Sequence, residues 1–154
     1  MAMKLLLRWH KPLTLKADKE GNAIYLVPLD DIPTEPGIYV FLRTHGSTYE
    51  AQYLGKAGNL RSRIEQQLNN LKLMRGIEHA ATGKRLLAFA VFISKRGQQQ
   101  TKALKRMEIA YIRHYLSEGH QLLNKQGTKI VKDSIASERS ALKKFIPKDL
   151  YFET

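Results

Sequence analysis

Residues 37–56 constrain this chain more than any other stretch, because their pattern fits a β-hairpin and little else. Ile38, Val40 and Leu42 alternate with Tyr39, Phe41 and Arg43, so a two-residue period leaves both faces of this strand largely apolar. Thr44-His45-Gly46-Ser47 supplies a turn, and residues 49–56 read as the returning strand. A strand that is apolar on both faces has to be covered on both. The flanking sequence provides the covers. Asn59 is placed to cap a helix over residues 60–73, whose Leu60, Ile64, Leu68 and Leu71 form one stripe. Residues 86–94 are apolar nearly throughout and read as a third strand. Residues 101–118 read as the longest helix, with Leu104, Met107, Tyr111 and Tyr115 on its buried stripe and Gly119 as its C-terminal cap. A last helix is expected over residues 134–145, stopped near Pro147. Upstream, residues 5–9 and 23–29 read as short strands around a Glu20-Gly21-Asn22 turn, and residues 30–36 as a connecting loop.

The order strand, strand, helix, strand, helix predicts an α+β fold with a small three-stranded antiparallel or mixed sheet flanked by helices. The expected organisation is one domain over residues 1–154. Within it lie a core at 36–126, an N-terminal extension at 1–35 and a C-terminal helical extension at 127–154.

Charge narrows the function. Lysine and arginine number 26 against 14 acids, a net +12, which draws the chain to polyanions. The excess is uneven: from His79 to Met107 there is no acid, while Lys84, Arg85, Lys95, Arg96, Lys102, Lys105 and Arg106 all fall in or beside that stretch. Such a run can follow a phosphate backbone, though charge runs are more often a solvated face. The absence of cysteine excludes disulfides, thiolate metal sites and cysteine nucleophiles. No H-x-x-x-H spacing, P-loop, G-x-G-x-x-G or G-x-S-x-G occurs. The longest apolar stretch is far short of a membrane span, so no membrane partner is expected, and a cytoplasmic location is.

A signature sits on the hairpin. Gly37-Ile38-Tyr39 is followed, after 13 intervening residues, by Tyr53-Leu54-Gly55 and then Lys56-Ala57-Gly58-Asn59-Leu60-Arg61-Ser62-Arg63. This resembles the GIY-YIG nuclease superfamily, and within it the incision domain of bacterial nucleotide-excision-repair nucleases. The resemblance covers about residues 36–126. It implies a metal-dependent endonuclease that leaves 5′-phosphate and 3′-hydroxyl ends, with DNA as the expected substrate. It matches the family's two tyrosines to Tyr39 and Tyr53, its arginine to Arg63 and its metal-binding glutamate to Glu108. Its asparagine matches Asn124, and the repair-type lysine matches Lys56.

The chemistry of these residue types agrees with such roles. A phosphodiester cut needs an activated water, charge neutralisation on the phosphoryl group and help for the leaving oxygen. Glu108 is the one carboxylate between Glu78 and Glu118, and a single carboxylate with waters and substrate oxygens suits one Mg2+ or Mn2+ ion. Arg63 suits a phosphate clamp. Arg61, two residues earlier, faces about 200° away on a helix and is expected, with Gln67 and the basic run at 84–106, among the nucleic-acid-binding residues. Tyr53 is expected to orient the attacking water or act as base, Tyr39 to position water or phosphate, and Asn124 to organise the site by hydrogen bonds. Each also has a bland reading, as core tyrosines, a surface arginine and a loop asparagine. Two departures from the family stand out. Gln67 lies where relatives commonly carry histidine or tyrosine; it can hydrogen-bond a phosphate but cannot shuttle a proton. The gap between the long helix and Asn124 is longer by about the length of Ser117-Glu118-Gly119-His120. The alternative is therefore a nucleic-acid-binding module on the same fold with little or no catalysis. Specificity, a targeting protein partner, and a monomeric or dimeric state are left open.

Overall fold

A computed structural model describes residues 3–80, 82–124, 132–139 and 141–153. The hairpin forms as expected. β5 (Gly37–His45) pairs antiparallel with β6 (Thr48–Ala57), and Gly46, at φ 60°, makes the turn where a side chain would be strained. β5 also pairs with β7 (Arg85–Ile93), which makes β5 a central strand. The register slips between Phe41 and Leu42, so Gln52 is the extra residue of a bulge.

The sheet has five strands, not three. β1 (Leu6–Trp9) and β2 (Leu13–Thr14) both pair antiparallel with the outer edge of β7, giving the order β1-β7-β5-β6 with β2 beside β1 on the same edge. Part of the expected N-terminal extension thus completes the sheet. A strand as apolar as β7 needs backbone partners on both edges. The second expected N-terminal strand shrinks to β4 (Tyr25–Leu26), which pairs with β3 (Lys16–Ala17) in a separate ribbon.

The helix expected over 60–73 is two helices. α1 (Leu60–Leu68) starts at Asn59, whose side chain accepts from the Ser62 N–H at 3.1 Å. It stops at Asn69-Asn70, where the Asn69 amide donates to the Glu65 carbonyl and Asn70 accepts from the Leu73 N–H. Asn70 thereby caps α2 (Leu71–Glu78), and the expected stripe residue Leu71 is exposed. α3 (Gln100–Ser117) ends as predicted, with Gly119 at φ 86°. Among the described residues the predicted C-terminal helix is absent; Ser140, which it would include, lies outside them. Residues placed in it belong to β8 (Lys132–Ala136), which pairs with β9 (Asp149–Glu153).

The sheet separates two cores. On one face Tyr39, Phe41, Leu87 and Phe89 pack with Leu60, Ile64, Met74 and Ile77 from α1 and α2. On the other, Ile38, Val40, Leu54 and Phe92 pack with Leu104, Met107 and Ile112 from α3. Gly37 has no room for a side chain, because a methyl there would overlap the Ala90 carbonyl oxygen. Among the described residues no helix is long and apolar enough to cross a membrane.

Candidate active site

The site forms where both faces of the sheet reach β6. Strand alternation sends Tyr39 and Tyr53 to the α1/α2 face, with rings stacked at 6.3 Å between centroids. Tyr39 lies opposite Gly55 in the register and lies over it; a methyl on Gly55 would overlap the phenol oxygen. The Gln67 amide donates to the Tyr39 hydroxyl at 2.7 Å and to the Tyr53 hydroxyl at 3.3 Å. Gln67 and Tyr39 are buried, Tyr53 partly so. Burial pushes the Tyr39 phenol up to about 12, against the opposing pull of the Gln67 hydrogen bond and the Arg63 charge.

The other face contributes Glu108, half-buried on α3. Its carboxyl is raised above the usual range by burial. The Lys56 ammonium, a hydrogen bond from the Lys56 backbone, and the charges of Arg63 and Lys105 pull it back. The glutamate of α3 and the arginine of α1 therefore feel one another across the edge of the sheet. Arg63 itself is exposed and donates to Gln66 Oε1 at 3.1 Å.

The free edge of β6 is covered by the segment after α3. The Ala51 N–H donates to His120 Nδ1 at 2.8 Å, the Leu123 N–H donates to the Gln52 carbonyl at 2.7 Å, and Asn124 closes the series. Its Oδ1 accepts from the Leu54 N–H at 3.1 Å and its Nδ2 donates to the Leu54 carbonyl at 2.6 Å. The Asn124 side chain thus imitates a strand partner for the residue between Tyr53 and Gly55. Burial lowers the pKa of His120, which keeps Nδ1 available as an acceptor.

Tyr39, Tyr53, Lys56, Arg63, Glu108 and Asn124 all line one cavity of about 790 Å³. Asn70 and Lys72 line it too, and the sequence reading missed both. The Asn69-Asn70 helix break was the signal that could have found them, since it turns the start of α2 toward the cleft.

The residues expected to bind nucleic acid divide differently. Lys84, Lys95, Arg96, Lys102, Lys105 and Arg106 are exposed and lie outside the cavity lining. Arg85 does not fit that role. Its guanidinium is buried and donates to the carbonyls of Ile77, Glu78, Ala80 and Gly83, closing the C-terminal end of α2. Arg61 is partly buried and donates to the Ile32 and Asp30 carbonyls, facing away from Arg63 as the helical angle requires. Gln67 sits beneath the tyrosines as their support and does not line the cavity.

Among the described residues no group of three or more His, Cys, Asp or Glu side chains could cage a metal ion. No family model, curated protein or solved structure matches the chain.

Proposed function

We propose that this protein is a divalent-metal-dependent endonuclease that hydrolyses phosphodiesters of nucleic acid, with DNA as the substrate. The observation that carries the reading is the shared cavity: side chains from β5, β6, α1, α3 and the coil beyond α3 line one space. They comprise two phenols, an ammonium, a guanidinium, a carboxylate and an amide, the set that an in-line attack on a phosphodiester uses.

Each side chain has a distinct task. Arg63, exposed at the cavity and permanently charged, binds the non-bridging oxygens of the scissile phosphate. Lys56 adds positive charge beside it and beside Glu108. With the Gln67 amide donating to both phenol oxygens, each hydroxyl proton is left to donate outward to a phosphate oxygen, and the second lone pair of Tyr53 is left to accept from the attacking water. The high pKa of Tyr39 keeps it a donor across the working pH range. Tyr53, the more exposed phenol, orients the water. Asn124 holds the β6 edge so that Tyr53 and Gly55 keep their positions. Glu108 would hold one Mg2+ or Mn2+ ion, a donor set that suits a hard cation whose remaining ligands are water and phosphate. When bound, that ion neutralises charge on the phosphoryl group.

A second reading, a binding module with little hydrolysis, is favoured by Gln67, which braces the tyrosines but cannot relay a proton. Incubation with supercoiled plasmid and Mg2+ or Mn2+ separates the two. The endonuclease reading expects metal-dependent nicking by the wild type and none by Glu108→Ala. Salt-sensitive binding without any cut would leave the binding module.

A further inference from the structure

β8 and β9 form a two-stranded sheet apart from the main one, and β9 packs against α3. The Ser137 N–H donates to the Lys148 carbonyl at 2.8 Å, carrying the ladder one step beyond the strands. Between them the chain closes a turn in which the Phe145 and Ile146 N–H groups donate to the Leu142 carbonyl at 2.9 and 2.8 Å. This ordered turn presents apolar groups outward: Phe145 is 82% exposed and Leu142 60%. A ring this exposed has its face free to stack, and with Leu142 beside it the turn presents a small apolar surface. The chain on either side of it carries one sign of charge: Arg139, Lys143, Lys144 and Lys148 are all exposed, with no acid between Glu138 and Asp149.

A flat apolar ring flanked by cations fits a partner that offers flat apolar faces and regularly spaced negative charge. We propose that the turn at residues 142–146 is a base-stacking finger. Phe145 stacks on an unpaired nucleobase while Lys143, Lys144 and Lys148 take the adjoining phosphates. Single-stranded or locally opened nucleic acid is the occupant. The choice over an anionic membrane follows from placement: the hairpin packs on α3, which carries Glu108 and the exposed Lys102, Lys105 and Arg106. The inference rests on the nucleic-acid reading of the cleft and adds to it a preference for unpaired segments.

The test uses the full chain. Phe145→Leu keeps apolar bulk and loses the aromatic face, and Phe145→Trp adds a fluorescent reporter. Binding is measured to a fluorescent oligothymidylate, to a blunt duplex of equal length, and to vesicles of mixed phosphatidylserine and phosphatidylcholine. Phe145→Leu should weaken oligothymidylate binding by about five- to a hundredfold and leave duplex binding unchanged. Phe145→Trp should lose emission on binding the oligonucleotide, beyond any change that Trp9 shows in the wild type. Wild-type affinity in Phe145→Leu, no quenching in Phe145→Trp, or a loss confined to vesicle binding would each overturn the finger. Plasmid nicking on the same preparations keeps the two readings apart. Wild-type nicking with intact oligonucleotide binding in Phe145→Leu removes the finger alone. No nicking by any preparation, with binding lost in Phe145→Leu, removes the hydrolytic reading alone.

Discussion

On the α1/α2 face of the sheet the Tyr39 phenol is buried, hydrogen-bonded to Gln67 and set over Gly55. On the α3 face Glu108 is half-buried, and the packing of Leu104, Met107 and Ile112 around it positions its helix. One face holds its chemical groups by contacts the fold itself needs; the other holds its carboxylate by a helix that would pack equally well without it. The faces should therefore answer mutation differently. Changes among the tyrosines should cost stability and cleavage together. Changes at Glu108 should cost cleavage alone.

The sharpest way to break that contrast is Gly55→Ala. The added methyl meets the Tyr39 hydroxyl, and the neighbouring ring of Tyr53 and amide of Gln67 leave it little room to yield. Overpacking of this kind costs about 1–3 kcal/mol, so urea denaturation should register a loss in that range with cleavage depressed in parallel. Wild-type stability would show that the tyrosine face is as loosely held as the α3 face. Gln67→Leu is a gentler version. It strips the shared donor from two phenols, one of them buried, and should lower stability by about 1–2 kcal/mol. Arg63→Gln, at an exposed position on the same helix, should melt like the wild type.

The smallest expected effect lies at the strand the two faces share. His120 accepts the Ala51 N–H through Nδ1 and must be neutral to do so. Its folded-state pKa lies below the ordinary histidine value because of burial, so the unfolded chain takes up the proton first. The stabilisation is complete above about pH 6.5, the unfolded value, and declines as pH falls toward the lower folded value. Thermal melts in mildly acidic buffer should thus fall below those at neutral pH, and His120→Ala should flatten the difference. A wild-type Tm that rises on acidification would contradict the contact.

Several features of this fold were legible because they depend on local pattern. The two-residue alternation of Ile38 to Arg43 specified β5, Asn59 marked the start of α1, and Gly119 marked the end of α3. The misreadings arose where distant partners decided. Leu71 continued an apolar stripe, yet the paired asparagines before it offered the backbone a better bond than the helix did. Residues 6–9 had no local sign that β7, about 80 residues on, would take them as an edge. Residues 134–145 carried a helical spacing, but β8 finds its hydrogen bonds in β9 instead. Tyr39, Tyr53, Lys56, Arg63, Glu108 and Asn124 could be named from the motif, whereas Asn70 and Lys72, which line the same cavity, could not. Arg85 could not be told from its basic neighbours, since only the loop that folds around it shows that four of its five N–H donors face carbonyls.

A double-mutant cycle on cleavage by Arg63→Gln and Glu108→Gln tests the convergence of the two faces most directly. If guanidinium and carboxylate serve one phosphate, each single variant should lose on the order of a hundredfold or more in rate. The double variant should then be little slower than the worse of the two. Rates that fall by the product of the single effects would mean that the two groups act independently. Cleavage that persists in Glu108→Gln would mean that the carboxylate has no part in it.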